Sequence, residues 1–238
     1  MRFKVKLVRA VEDNSPISID YRRRFISLLK KIFEKEFDEE SPKPYTFAVY
    51  LGKNAKIQGE YILGVESINF RFSTGDPQTA ISFYNGVLKL IKEDHLHNMN
   101  PKLENVYFRI VSVDIEKENE PTGFFKTLSP VVVERATNSR NPEEKYATPR
   151  DKDFKWWLLE NTQKRYRALV GEDLNVKNLE IEPISIKEEF IKHYGGYIRS
   201  SLGKFKLYTE SKELLRFVYQ YGLGVRTGQG FGYLETLD

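Results

Sequence analysis

Hydrophobic and charged residues alternate at the start of the chain and then change to a helical spacing. Phe3, Val5 and Leu7 alternate with arginine and lysine, which predicts a strand with one buried and one solvated face. From Asp20 onward, apolar residues recur every three or four positions, which predicts an amphipathic helix. The residues assigned to its buried face are Phe25, Leu28, Leu29, Ile32 and Phe33.

The rest of the first half separates into strands and a second helix. Aromatic and β-branched stretches predict strands at residues 45–51, 68–73 and 106–113. A helix is predicted between the last two, with Thr74 and Asp76 as candidate caps. The residues assigned to its apolar face are Ile81, Tyr84, Val87, Leu88 and Ile91. The order β-α-β-β-α-β is that of a ferredoxin-like domain, in which two helices cover one face of an antiparallel sheet.

The second half repeats this order more loosely. Its predicted elements, after a loop near residues 122–125, are strands at 128–135 and 179–186, a hairpin at 197–208, a last strand at 231–237, and helices at 151–170 and 211–221. Phe154, Trp157 and Leu158 are assigned to the buried side of the first helix, and Ser211 is expected to cap the second, which ends at Gly222. We therefore predict an α+β fold of two tandem ferredoxin-like (βαββαβ) domains, residues 1–120 and 121–238, with a C-terminal glycine-rich loop.

Composition narrows the class of protein. Hydrophobic residues make up 40% and charged residues 30% of 238 positions, which is typical of a globular chain with a hydrated surface. The absence of cysteine excludes disulfides and thiolate zinc sites and predicts a cytoplasmic location. No apolar run approaches the roughly 18 residues of a membrane span. The net charge of +4 favours a nucleic-acid partner only weakly.

Five of the fifteen glycines lie in the sequence GLGVRTGQGFG, between the last helix and the last strand. The residues predicted to bind phosphate there are Gly222, Gly224, Arg226, Thr227, Gly228, Gln229, Gly230 and Gly232. Glycines let backbone N–H groups face an anion and let a phosphate approach closely. A helix end followed by a bulged hairpin accounts for one or two glycines only. The loop is neither a P-loop nor a dinucleotide fingerprint, because it follows a helix and lacks the Gly-Lys-Ser/Thr ending.

The repeated glycine-apolar-glycine spacing resembles the C-terminal signature of repeat-associated RNA-binding proteins of CRISPR systems. Together with the opening MRFKVKL and the stretch FKTLSPVVVER at 125–135, it makes the whole chain similar to the repeat-cleaving endoribonucleases of that superfamily. The resemblance implies metal-independent cleavage without a cofactor, in which a 2′-hydroxyl attacks the adjacent phosphate and leaves a cyclic phosphate. It implies CRISPR repeat RNA as the main partner, and effector-complex subunits or a second copy of the chain as others.

The residues that such enzymes use for catalysis are matched only in part. Lys43, in SPKPYTFAVYL, falls on the family's lysine, whereas residues 33–41 contain no imidazole where the family has a histidine. Lys31, Ile32 and Phe33 occupy the region of the helix tyrosine. Three alternatives therefore stay open: binding without cleavage, slow cleavage by Lys43 with Tyr45 or an arginine, and a base from elsewhere, with His193 as the candidate.

Basic and aromatic residues interleave around His193, a pattern that predicts an RNA-binding hairpin. Its predicted RNA-binding residues are Arg199, Lys204 and Lys206, to which the first helix adds Arg23 and Lys30. An edge hairpin guarded by lysines produces the same pattern.

Two histidines near residue 96 raise the question of a metal site. His95 and His97 form a His-x-His pair, but a solvated loop is the preferred interpretation, and no metal site is predicted. Outside nucleic acids, the alternative is a ferredoxin-like module that binds a small molecule or an anion with the glycine-rich loop, and such a module would show no salt-dependent affinity for RNA.

Overall fold

The first half forms one antiparallel sheet with two helices on one face. The computed structural model describes residues 1–10, 15–34, 37, 41–94, 102–103, 106–173, 176 and 179–237. The elements of the first half are β1 Arg2–Arg9, β2 Ile17–Ser18, α1 Arg22–Ile32, β3 Thr46–Tyr50, β4 Lys56–Gln58, β5 Tyr61–Leu63, β6 Ser67–Ser73, α2 Pro77–Asp94, β7 Lys102–Leu103 and β8 Val106–Glu116. The main sheet has the order β3-β6-β1-β8-β7, and β2, β5 and β4 form a small separate sheet.

The alternation at the start of the chain predicted the buried face of β1 correctly. Phe3, Val5 and Leu7 are each at most 1% exposed, and all five residues assigned to the buried face of α1 are buried. The ring of Phe25 stacks on that of Phe70, with centroids 5.2 Å apart, which fixes α1 on the sheet.

The predicted apolar face of α2 was right at Val87 and wrong at Ile81, while Tyr84 and Ile91 lie half-buried against the core. Ile81 is 61% exposed, whereas Phe83 is fully buried and stacks on Phe72 with centroids 3.8 Å apart. The residues that α2 buries are Ala80, Phe83, Val87 and Leu90. Both sets have helical spacing, and the aromatic stack selects the second.

The second half has the same strand order as the first. Its elements are β9 Phe124–Thr127, β10 Val133–Glu134, α3 Pro142–Lys145, β11 Tyr146–Ala147, α4 Phe154–Val170, β12 Glu180–His193, β13 Gly196–Tyr208, α5 Lys212–Tyr221 and β14 Leu234–Thr236. Its sheet has the order β12-β13-β9-β14. Numbered by position along the second half, these strands of the sheet are the second, third, first and fourth. The strands β3, β6, β1 and β8 have the same order in the first half. The Ser211 side chain accepts a hydrogen bond from the Leu214 N–H, and α5 ends at Gly222, as predicted.

Several boundaries in the second half differ from the prediction. The first strand of its sheet is β9, within the predicted loop, and residues 131–134 instead contact other segments, through Val131 with Ser201 and Val132 with Gly224. The stretch at 179–186 continues to His193 and pairs along its length with β13. Trp157 is half-buried, whereas Phe154 and Leu158 are buried as expected.

Arg2 and Arg71 join the two halves. The guanidinium of Arg2 lies 4.0 Å from the ring centroid of Tyr219 and 4.3 Å from that of Tyr233, and it donates to the Leu234 carbonyl. Arg71 pairs with Glu235 at 2.7 Å. Such cation–π and ionic contacts attach β1 and β6 to the end of the second half. Within the described ranges, no helix has the length and hydrophobicity needed to cross a bilayer.

Candidate functional site

A groove of about 930 Å³ opens where α1 and the segment before β3 face the glycine-rich loop. Its charged lining residues are Lys30, Lys31, Lys43, Arg165 and Arg226. Among the residues that the structure describes, no aspartate or glutamate lines it, and the acidic residues Asp38, Glu39 and Glu40 lie outside that set. The described walls of the groove therefore suit an anion.

The groove brings together residues from both ends of the chain that sequence reasoning had selected separately. Lys30, Lys43 and Tyr45 come from the first half, and Arg226, Thr227, Gly228 and Gln229 come from the loop. A Cβ at Gly228 would lie 2.6 Å from Lys43 Cγ, so the two segments are in direct contact.

The glycine-rich loop is shaped mainly by contacts within the protein. Gly224 has φ +79, and a Cβ there would lie 2.1 Å from the Val132 carbonyl oxygen. Positive φ and contacts under 3.0 Å also occur at Gly222, Gly230 and Gly232. The expectation that packing explains only one or two glycines is therefore wrong, because four of the five are required by close approach. Gly228, which lines the groove, differs from these four because its φ is not in the left-handed region and its close contacts are with the side chain of Lys43.

The apolar residues between the glycines anchor the loop. Leu223 and Phe231 are fully buried, and Phe231 packs with Val132, Tyr146 and Ile198. The Thr46 hydroxyl donates to the Phe231 carbonyl at 2.9 Å, which attaches the loop to β3. The glycine-apolar-glycine pattern is thus a packing motif that positions the residues between its two copies.

Arg165 holds the start of the loop and was missed by sequence reasoning. Its guanidinium donates to the carbonyls of Tyr221, Gly222 and Gly224, each at 2.9 Å. Burial lowers the pKa of Arg165 to about 10, so the side chain stays charged at neutral pH. The signal was present, because Arg165 lies seven residues after Leu158 and so on the buried side of α4.

Arg226 is held in place by two neighbours beside the groove. Its backbone has φ 59, in the left-handed region that favours glycine. Nη1 donates to Gln229 Oε1 at 3.3 Å and Nη2 to Glu134 Oε1 at 3.4 Å, whereas Nε is buried without a partner. The side chain is 26% exposed, so a ligand in the groove can reach it.

Tyr45 and Lys43 differ in what they can do chemically. The Tyr45 ring stacks on Phe33 with centroids 5.5 Å apart, and burial raises the pKa of its hydroxyl well above the ordinary value. Tyr45 therefore stays protonated and is a poor base. Lys43 Nζ donates to the Ser41 carbonyl at 2.9 Å and supplies a cation at the groove wall.

His193 is buried behind the loop. Its Nε2 lies 3.2 Å from Gln229 Oε1 and its Nδ1 lies 3.7 Å from Asp20 Oδ1. Burial lowers the pKa of the imidazole, and the charges of Arg22 and Arg226 lower it further, against the opposing effects of Gln229 and Asp20. The His193 side chain is only 2% exposed, so it does not face the groove. It instead contacts Gln229, which lines the groove.

The remaining predicted RNA-binding residues lie apart from the groove. Arg199 is buried and pairs with Asp151 at 2.6 Å and with Glu188 at 2.7 Å, so it contributes to the fold, and its contact with RNA stays a prediction. These carboxylates satisfy the guanidinium inside the second half.

Lys204, Lys206 and Arg23 keep exposed cationic groups elsewhere on the surface. Lys204 and Lys206 project from β13 on the side opposite the buried Phe205, and the Lys206 ammonium lies 4.3 Å from the Tyr208 ring centroid. Arg23 is not among the described residues that line the groove, and its guanidinium pairs with Asp20 at 3.4 Å. His95 and His97 lie outside the described residues. Within those residues, no three His, Asp or Glu side chains cluster as metal ligands.

Comparisons with known proteins identify relatives of this chain. Residues 113–236 match the family described as CRISPR associated protein Cas6, C-terminal. The chain is 27% identical over 248 residues to the "Putative CRISPR-associated endoribonuclease-like protein Cas6nc" of Pyrococcus horikoshii, with 100% of each chain covered. It is 28% identical over 254 residues to the "Putative CRISPR-associated endoribonuclease-like protein Cas6" of Pyrococcus furiosus, covering 100% of this chain and 99% of the relative.

Solved structures share the fold over the whole chain. One, described as "Characterization of a Cas6-related gene from Pyrococcus furiosus", superposes with a TM-score of 0.85 at 26% identity, covering 100% of this chain and 98% of that one. Another, described as "An RAMP protein binding different RNA substrates", gives 0.82 at 24% identity and covers 100% of each chain. Because the family match spans more than half of the sequence, the chain belongs to the Cas6 family of CRISPR-associated proteins.

Proposed function

We propose that this protein binds CRISPR repeat RNA, with phosphates of the RNA in the groove between α1 and the glycine-rich loop. The observation that carries the proposal is the convergence of Lys30, Lys43 and Arg226 on one groove from segments almost 200 residues apart. Lysine and arginine neutralise phosphates, and this electrostatic contribution is a large part of the affinity for nucleic acid. The names of the curated relatives, endoribonuclease-like proteins, support RNA as the ligand.

The size and lining of the groove favour RNA over a small free anion. A volume of about 930 Å³ exceeds what one phosphate needs, and aromatic side chains share the walls with the cations. Cations with aromatic rings are the combination that single-stranded nucleic acids require. The lysines of β13, outside the groove, are candidates for contacts with a longer RNA.

Metal-independent cleavage is the second candidate function, and the position of Lys43 favours it. In this reaction the O2′–P bond forms and the P–O5′ bond breaks. The 2′-hydroxyl proton must pass to a base, and the 5′ oxygen must gain a proton. Lys43 can stabilise charge on the phosphate or protonate the leaving oxygen. Tyr45 stays protonated and His193 is buried, so neither is suited to accept the 2′-hydroxyl proton. We therefore infer that cleavage is slow relative to binding.

The proposal also includes the division of the chain into two domains and its protein partners. We infer two ferredoxin-like halves divided near residue 120, and this inference is supported by the identical strand order of the two main sheets. Association with effector-complex subunits or with a second copy of the chain stays a prediction.

The test is incubation of the purified protein with the CRISPR repeat RNA of its own organism in excess chelator. Binding should weaken as salt rises, since neutralised phosphates release counterions. Fragment sizing and end-group analysis then separate the two candidates. Intact RNA that stays bound supports a binding subunit, whereas one cut with a cyclic phosphate supports cleavage. Affinity independent of salt would contradict both.

A further inference from the structure

Tyr194 occupies a backbone conformation that large residues rarely adopt. His193 pairs with Gly196, so Tyr194 and Gly195 alone form the turn between β12 and β13, with φ values of 50 and 77. Two-residue turns with positive φ at both positions favour Asn-Gly, Asp-Gly or Gly-Gly. A bulky side chain in this region is an outlier that persists only when its surroundings hold it.

Contacts from the first half hold Tyr194 in this conformation. Its backbone N–H donates to Asp20 Oδ2 at 3.1 Å, and its ring packs edge-on against the His193 ring at 4.6 Å. The Arg23 guanidinium lies 5.7 Å from the ring centroid. Because Asp20 lies just before α1 and Arg23 lies in its first turn, the hairpin turn is fixed relative to α1, which lines the groove.

The ring of Tyr194 is exposed although it lines the groove. It is 60% exposed, whereas Phe33 and Tyr45, which also line the groove, are 2% and 5% exposed. Those two rings are part of the core of the first half. The Tyr194 ring instead presents open aromatic surface beside the cations Lys30 and Arg226.

We propose that Tyr194 stacks on an unpaired base of the RNA whose phosphates lie in the groove. The proposal rests on the proposed function and deepens it, because it requires the bound segment to be single-stranded at this point. Base stacking on an exposed ring tolerates any base, since every base has a π-face. Such a turn ordinarily takes asparagine, aspartate or glycine at this position, so an exposed tyrosine at residue 194 points to a use for the ring.

The test compares two probes of about twelve units, a length within the known site sizes of single-strand-binding proteins. One is oligoadenylate carrying 2-aminopurine, whose fluorescence is quenched by stacking. The other is a tetrahydrofuran phosphodiester, which has phosphates without bases. The variants are Tyr194→Leu, Tyr194→Phe and Tyr194→Gly. Tyr197→Leu is the matched control, because Tyr197 is 52% exposed on the same hairpin and is not among the described lining residues.

We expect Tyr194→Leu to weaken oligoadenylate binding about tenfold and to abolish the quenching, with no change for the base-free probe. Tyr194→Phe and Tyr197→Leu should bind as the wild type does. Tyr194→Gly should lose affinity as Tyr194→Leu does, although glycine adopts the positive φ of the turn without strain.

Oligoadenylate affinity and quenching that survive Tyr194→Leu would overturn the stacking role and leave the proposed function intact. An equal loss for both probes would also overturn it, since phosphate binding does not require the ring. If the wild type binds neither probe at any salt concentration, the proposed function fails together with the stacking role.

Discussion

Gly228 in the glycine-rich loop lies against Lys43, which precedes β3, so that a methyl group at residue 228 would come within 2.6 Å of Lys43 Cγ and 2.8 Å of its Cβ. The loop therefore sets the space in which the Lys43 side chain can lie. Unlike Gly224, whose added Cβ would meet the backbone of Val132, Gly228 would meet a flexible side chain.

Gly228→Ala should displace Lys43 without unfolding the protein. We expect RNA affinity to fall about threefold to tenfold and the free energy of unfolding to fall by only about 1 kcal/mol, because Lys43 Cγ can rotate away whereas its Cβ moves only with the backbone. Gly224→Ala is the contrasting variant, and it should lower the free energy of unfolding by more than about 2 kcal/mol, since the backbone contact and positive φ forbid a Cβ. Equal destabilisation by both variants, measured by urea denaturation, would contradict this distinction.

Arg226→Ala should weaken RNA binding about tenfold or more, because a charge-assisted hydrogen bond to phosphate is lost. The slope of log affinity against log salt should also fall by about 0.7, the value for one phosphate contact with a single strand. Arg216→Ala removes the same charge from an exposed pair with Glu120 and serves as the control. Unchanged affinity of Arg226→Ala at moderate salt would remove the loop from the site.

Lys43→Ala should slow any cleavage about a hundredfold while RNA affinity changes only a few-fold. The reason is that one cation among several contributes little to affinity but stabilises charge that develops at the reacting phosphate. Lys43→Arg keeps the charge and should retain more of the rate. Single-turnover cleavage in chelator measures the effect, and an unaltered rate for Lys43→Ala would exclude its catalytic role.

His193 should make the protein less stable below neutral pH. Burial depresses the pKa of the folded-state imidazole, so the unfolded chain binds more protons as pH falls through the ordinary value of about 6.5. The contribution of His193 to the free energy of unfolding is therefore fully present above that pH and is lost as the pH falls below it. Urea denaturation at pH 7.5 and at pH 5 should show a larger loss for the wild type than for His193→Gln. A larger loss for the variant would mean that pairing with Asp20 outweighs burial.

The periodic parts of the fold were predictable because burial of one hydrophobic face determines them. The alternation in β1 and the spacing in α1 identified the buried residues, since each element has one hydrophobic face. In α2, two sets of apolar residues shared the helical spacing, and the stack of Phe83 on Phe72, a contact with a distant strand, decided between them. Local patterns contain no information on such a contact.

Sequence reasoning proposed candidate site residues but could not predict how the fold arranges them. Sequence reasoning selected Lys43 and Arg226 for separate reasons, and the fold places both at one groove. It gave no sign that Arg199 is buried and paired with Asp151 and Glu188, because those carboxylates are distant in sequence. It missed Arg165 because the three carbonyls that this side chain binds come from α5 and the loop beyond it.

The attachment of the glycine-rich loop to β3 has a consequence during synthesis of the chain. β3 is an edge strand, and the loop that contacts it through Thr46 and Phe47 follows more than 170 residues later. A nascent polypeptide therefore carries the first half with an uncovered strand edge while the second half is still being translated. Uncovered edges recruit other strands, so we expect this interval to be the time at which the protein depends most on chaperones.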